Sequence, residues 1–158
     1  MTAGHAVPSG WPADVYLSMT PSDFVEFVGD HRYGVVATLG PAGEPQAAIV
    51  GIAVTGRGEI VFDTLPDSRK AVNVNSDERV ALVVLTDDEV TLQCEGVADR
   101  PREGDQARCQ ATYLEAFPEG RQRAAVGAIL VRITPKWARI SDFRPESFGT
   151  RELNLSHN

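Results

Sequence analysis

The stretch RYGVVATLGPAGEPQAAIVGIAVTGRGEIVFDT, residues 32–64, decides the fold. Three runs rich in Val, Ile and Ala, 32–40, 45–54 and 60–64, are separated by the turn-forming segments PAGE and TGRGE. Short β-branched runs bounded by Gly, Pro and charged residues read as hairpin strands, and Gly supplies the positive φ that tight connections demand. Gly40, Gly43, Gly56 and Gly58 are placed for that role, and the segment is a three-stranded meander.

The reading extends in both directions. Upstream, residues 1–20 mix Gly, Pro and small residues with isolated Trp11, Tyr16 and Leu17, which suggests an irregular arm docked on the surface. Thr20 and Ser22 offer N-cap hydroxyls, Pro21 fits a first helical turn, and Phe24, Phe27 and Val28 recur at helical spacing, so a short helix is expected to about Asp30. Downstream, DSRKAVNVNSDE (67–78) predicts one or two helical turns capped by Asp67 or Ser68, with Ala71, Val72 and Val74 inward. Strands resume with RVALVVLT and VTLQCEGVA around the turn DDE. A helix follows over 101–120, its inward face Ala107, Ala111, Leu114 and Phe117, stopped by Pro118 and Gly120. The last long strand is AVGAILVRITPKWARISDF, with Pro135 marking an edge or a bulge.

Six strands and about three peripheral helices, mostly hairpin-linked, predict a mainly β (α+β) domain: a small antiparallel barrel and not a βαβ sheet. The expected organisation is an arm over 1–20, the barrel domain over 21–145 and a C-terminal tail over 146–158.

Composition narrows the function. A chain of 158 residues, 42% hydrophobic, can bury roughly 70% of its unfolded surface without disulfide staples. Cys94 and Cys109 match no zinc or redox spacing and read as reduced, buried thiols, Cys94 in the core. A net charge of −7 argues against nucleic acid or an anionic membrane as partner. The longest nearly unbroken apolar stretch, Ala47 to Val54, is far short of the about 20 residues that cross a bilayer. No Lys or Arg precedes Arg32, so a secretory or transit signal is not expected, and the expected location is the cytoplasm.

Conventional catalytic constellations are missing. His5, His31 and His157 are scattered, no metal site is expected, and the Asp87–Asp88 pair sits in a turn. An enzyme built this way relies on a bound cofactor. One segment suits such a group: Thr64, at a strand end, followed by Ser68-Arg69-Lys70 at a helix start. Helix N-terminal amides, an Arg fork and a Lys point charge together match a phosphate monoester. The plainer reading is a capped helix whose cations face solvent. Trp137 and Arg139 share one face of the last strand, and Arg139 could instead pair with Asp142 or Glu95.

The order of these elements resembles the flavin-binding split-barrel proteins related to pyridoxamine 5'-phosphate oxidase. The resemblance covers roughly residues 21–142 and rests on HRYGVVATL (31–39), Gly43-Glu44-Pro45-Gln46, Thr64 with Ser68-Arg69-Lys70, Asp77-Glu78-Arg79-Val80-Ala81-Leu82, Glu95-Gly96 and Trp137-Ala138-Arg139. It implies a six-stranded split β-barrel that forms a homodimer, with FMN at the subunit interface. By that resemblance Thr64, Ser68, Arg69 and Lys70 hold the FMN phosphate, and Ala48, Ile49, Val50 and Gly51 lie along the isoalloxazine edge. Trp137 and Arg139 sit near the flavin or across the dimer, with Thr91 and Gln93 on the fifth strand where the family carries a Gln.

The departures bear on the substrate. Where pyridoxamine phosphate oxidases carry an Arg and a substrate-phosphate Lys, this chain has Ala48 and Ala53, and their C-terminal Arg-x-His is missing. The expectation is therefore an FMN-dependent oxidoreductase, transferring hydride through flavin N5 to a small substrate other than vitamin B6 phosphate, with no side-chain acid or base assignable. The alternatives are a deazaflavin-dependent reductase of the same fold, and a flavin- or haem-binding protein without turnover.

Overall fold

The computed structural model describes residues 16–145 and 147–155. The elements are β1 (Tyr16–Ser18), α1 (Pro21–Gly29), β2 (Tyr33–Leu39), β3 (Pro45–Gly51), β4 (Ala53–Val54), β5 (Ile60–Thr64), α2 (Arg69–Ser76), β6 (Arg79–Leu85), β7 (Val90–Asp99), α3 (Glu103–Ala116), α4 (Gly120–Ala125), β8 (Ile129–Asp142) and β9 (Gly149–Asn154). All six strand-forming runs of the sequence are strands, and the mainly β, split-barrel class holds.

The counts differ from the expected six strands and three helices. The second run breaks at Ile52 into β3 and β4, and β1 and β9 add two more, so the described residues form one nine-stranded sheet with four helices. Residues 1–15 and 156–158, including Trp11, His5 and His157, lie outside the described residues. Tyr16–Ser18 pairs in parallel with Thr150–Glu152, which makes β1 and β9 a flap added to the edge of the barrel.

Antiparallel ladders run β3–β2–β6–β7–β8–β5–β4. The circuit closes between β4 and β3 through the covalent corner at Ile52, with no ladder there; this is the split. Ile52 is 1% exposed, and its N–H donates to the Arg32 carbonyl at 2.9 Å, which fixes the corner. β8 joins the two halves: Ile129–Ile133 pairs with β5, Trp137–Asp142 with β9, and nearly its whole length with β7. The β7–β8 register shifts between Glu95 and Gly96, opposite Pro135 and Trp137, so the bulge expected at Pro135 is present. A Cβ on Gly96 would meet the Thr134 carbonyl oxygen at 2.4 Å, so this close crossing needs glycine.

Inward residues alternate along each strand. Val36, Leu82, Cys94 and Ala138 form one fully buried cross-strand row, and Cys94 packs in the core with its thiol pushed up to about 12 by burial. Helix α1 covers one end with Phe24 and Val28, starting from a capping box in which the Thr20 hydroxyl accepts from Asp23 N–H and Asp23 accepts from Thr20 N–H.

Two helical faces differ from the sequence reading. In α2 the buried residues are Ala71, Asn73 and Val74, while Val72 is 46% exposed. In α3 the buried residues are Cys109 and Tyr113, which pack with Phe117 on Ala53 and Val61; Ala107 and Ala111 face solvent. Alanines contribute little burial free energy, so the larger Cys109–Tyr113 pair one turn apart decides which side faces the sheet. α3 stops at Ala116, ahead of Pro118 as expected, and Gly120 then opens α4 after a break at Phe117–Glu119.

Between α3 and the outer faces of β5 and β8 lies a charged layer. Glu59 accepts from Arg108, from the Thr55 hydroxyl at 2.8 Å and from Arg132 at 3.2 Å, and Arg132 also binds Asp99 and Asp105. The hydrogen bond from Arg108 holds the Glu59 carboxyl below the usual carboxylate range. A folded-state pKa below the unfolded one stabilises the fold above the unfolded pKa, and that stabilisation is lost as pH falls through the folded value. Glu59→Gln is therefore expected to lower Tm at about pH 7, and thermal scans are expected to show the gap to wild type shrinking as pH falls towards about 3.

Candidate functional site

The β5–α2 connection builds a cationic corner. β5 ends at Thr64, whose hydroxyl lies 2.8 Å from that of Ser68. Ser68 is the N-cap of α2, its side chain accepting from Ala71 N–H at 3.3 Å, so Arg69 and Lys70 occupy the first helical turn. Among the described residues neither cation has an ion-pair partner; Arg69 is exposed and Lys70 half-buried. Both border a cleft of about 180 Å³ whose opposite wall is Val36, Thr38, Gln46, Ala47 and Ala48.

A buried amide that the sequence reading did not single out fixes this geometry. Asn73, 4% exposed on α2, donates from Nδ2 to Thr38 Oγ1 at 2.9 Å and to Gln46 Oε1 at 3.1 Å. It ties the helix carrying Arg69 and Lys70 to both strands of the facing wall. The available signal was a polar residue inside the short apolar pattern Ala71–Val74, where a buried amide needs partners.

Among the described residues β3 is the end of its sheet path, pairing with β2 alone. Its free edge leaves the N–H and C=O of alternate residues directed away from β2, along Ala48–Gly51. Ala48 and Val50 turn towards the barrel and Ile49 away from it, 73% exposed.

Thr91, Gln93, Trp137 and Arg139 lie elsewhere, on the outer face of β7 and β8. Gln93 pairs with Arg139 in register, and Ile49, Val35, Val83, Gln93, Arg139 and Glu152 form one outward cross-strand row. Four strand spacings separate Ile49 from Arg139, about 19 Å along the sheet. One chain therefore brings together Ala48, Thr64, Ser68, Arg69 and Lys70 and leaves the second group apart. Arg139 pairs with Glu152, Nε to Oε1 at 2.7 Å, and not with Asp142 or Glu95; its guanidinium lies 5.3 Å from the Trp137 ring centroid. Trp137 also borders an open cleft of about 500 Å³ with Ala37, Ala81 and Glu95.

Ala53, 5% exposed, packs beneath α3, so it adds no polar group to the cleft. The described residues contain no group of three or more His, Cys, Asp or Glu side chains able to hold a metal ion. None of their helices is long and apolar enough to cross a membrane.

Comparison with known proteins gives the same picture at family level. Residues 20–141 match the family model described as pyridoxamine 5'-phosphate oxidase. No curated protein matches the sequence significantly. Among solved structures, the conserved hypothetical protein Rv2991 from Mycobacterium tuberculosis is 27% identical with a TM-score of 0.63, the match covering 90% of this chain and 88% of that one. A heme binding protein from Mycobacterium smegmatis superposes with a TM-score of 0.73 at 17% identity, over 87% of this chain but 59% of that one. General Stress Protein 26 from Bacillus anthracis superposes with a TM-score of 0.64 at 16% identity, over 87% of this chain and all of that one, 100%. At 17% and 16% identity these last two likenesses are of fold.

Because Asn73 satisfies two acceptors in a buried setting, Asn73→Ala is expected to destabilise the fold by about 1–3 kcal/mol, measured by denaturant unfolding.

Proposed function

This chain belongs to the pyridoxamine 5'-phosphate oxidase family, and from that membership we propose that it is an FMN-dependent oxidoreductase working as a homodimer on a small substrate other than vitamin B6 phosphate. The observation that carries the reading is the Arg69–Lys70 pair at the start of α2, without an ion-pair partner among the described residues, beside the Thr64–Ser68 hydroxyls and opening on a cleft walled by Val, Thr, Gln and Ala. This donor set fits a phosphate monoester: a bidentate fork, a point charge, hydroxyls and helix N-terminal amides.

Arg69 and Lys70 anchor the phosphate, and Thr64 and Ser68 supply hydroxyls to its remaining oxygens. The free edge of β3 at Ala48, Ile49, Val50 and Gly51 offers backbone donors and acceptors to the polar rim of a flat ring, while the small side chains let the ring approach. Bound FMN supplies hydride transfer through its N5. The chain contributes orientation and exclusion of water, and no side chain is assigned as acid or base.

Size supports the dimer. A cleft of about 180 Å³ is below the range of about 300–1,000 Å³ that encloses a small ligand, so one subunit covers the phosphate end alone. The outer sheet face beside it exposes Ile49, Tyr33 and Leu85, at 73%, 59% and 57%. A second copy seated there buries those side chains and brings its own Thr91, Gln93, Trp137 and Arg139 towards the ring. Ala48 and Ala53 leave no cation for a second phosphate, which is why vitamin B6 phosphate is a poor substrate in this reading. His31 places Nδ1 2.6 Å from the Phe27 carbonyl and stacks on the Phe27 ring.

The test is the visible absorbance of the purified protein, with mass spectrometry of the molecule that heat releases. Released FMN is the expected outcome; uptake of a deazaflavin in place of FMN, or of haem, overturns it. Arg69→Ala and Lys70→Ala are each expected to weaken FMN binding by about 1.5–3 kcal/mol in fluorescence titrations while leaving the circular dichroism spectrum unchanged.

A further inference from the structure

A second cavity, of about 500 Å³, lies on the other side of β5 from the barrel interior, between the start of β8 and helices α3 and α4. Its polar lining is one-sided. Arg100 and Arg102, on the β7–α3 connection, have no ion-pair partner among the described residues, although Arg108, Arg123 and Arg132 nearby are all paired. Gln106 and Gln110, one turn apart on α3, line the same cavity, and their side-chain amides make no hydrogen bond among the described residues.

Asp63 is the carboxylate among the lining residues, and it is already engaged. Its Oδ1 accepts from the buried Tyr113 hydroxyl at 2.8 Å and its Oδ2 from Arg123 Nε at 2.5 Å. Arg123 also donates to the Tyr113 oxygen at 3.1 Å, so the three groups form a closed, neutral set. Glu78 and Asp99 border a neighbouring cleft that both arginines also touch, and neither comes within ion-pair distance of them. The rest of the floor is apolar: Leu114, Ile129 and Leu130.

We propose that this cavity binds a small organic anion, its carboxylate or phosphate oxygens held by Arg100 and Arg102 with the Gln106 and Gln110 amides, and its apolar body resting on Leu114, Ile129 and Leu130. Four side chains rich in unengaged donors, in a cavity whose lining carboxylate is already engaged, form a site selective for charge, because guanidinium forks match planar and tetrahedral oxyanions. The volume lies in the range of enclosed small-ligand sites. The site is separate from the Arg69–Lys70 corner: Asp63 and Thr64 are adjacent on β5 and point to opposite sides of it. It therefore stands whether or not FMN is the cofactor.

The test is a titration of the protein as purified, followed by two-dimensional NMR of backbone and glutamine side-chain amides. The probes are benzoate and phenyl phosphate, with inorganic phosphate and benzyl alcohol as controls. At least one of the two aromatic anions is expected to give saturable shifts at Gln106 and Gln110, and the stronger of them identifies the anion class. Arg100→Gln with Arg102→Gln is expected to weaken that binding about tenfold or more with Tm unchanged, since neither side chain makes an ion pair or hydrogen bond among the described residues. No saturable shift with either aromatic anion overturns the proposal. So do shifts confined to residues 68–71, shifts unaltered in the double variant, or equal affinity for inorganic phosphate. FMN content is read separately from the absorbance of the same sample, so failure here is distinct from failure of the flavin reading.

Discussion

One strand, β8, has to satisfy three others. Over its 14 residues it pairs with β7 nearly throughout, with β5 at its start and with β9 at its end. The register shift opposite Pro135 bends it where the segment paired with β5 gives way to the segment paired with β9. Gly96 permits the bend, because a side chain there would collide with the Thr134 carbonyl. Closure of the barrel through β5 depends on this bend, and β5 in turn delivers Thr64 to the start of α2.

From that point the cationic corner is held by polar contacts more than by apolar burial. Helix α2 has eight residues, of which Ala71 and Val74 supply its buried apolar contact. Two small anchors position a helix poorly, and the Asn73 amide adds directional bonds to Thr38 and Gln46. Those bonds set the distance between the Arg69–Lys70 pair and the strand wall, and hence the width of the cleft. The sheet side of α3 is organised in the same spirit, with the Glu59–Arg108–Arg132 layer beside the Cys109–Tyr113 contact.

What the sequence made legible follows from how local each signal is. The six barrel strands appear as β-branched runs between turn residues, the Thr20 capping box and the Ser68 cap as hydroxyls before helical patterns, and the bulge as a proline inside a strand. β1 and β9 were missed because GTRELN has little β-branched character and its partner in β1 is more than 130 positions away, a pairing no window can contain. The α3 face was misread because alanines at 107 and 111 mimic an apolar stripe, while Cys109 and Tyr113 do the packing. Arg69 and Lys70 were legible as candidates from their place before a helix. Asn73 and the engagement of Asp63 were not, since both depend on groups more than 25 residues away.

Charge gives the last step. With 22 acidic against 15 basic side chains, an arginine in this chain rarely lacks a carboxylate for want of supply. Where cations stay unpaired, the backbone must hold them away from acids that elsewhere on the surface form bonds with Arg79, Arg139 and Arg144. At Arg69 and Lys70 this is done by the helix start, which turns both side chains towards a wall of Val, Thr, Gln and Ala. At Arg100 and Arg102 it is done by engaging the lining carboxylate, Asp63, with Tyr113 and Arg123. An unpaired cation in an acidic protein raises the local potential without the self-repulsion a basic surface would bring, so such points, set in a surface of net negative charge, are where a small anion would be drawn.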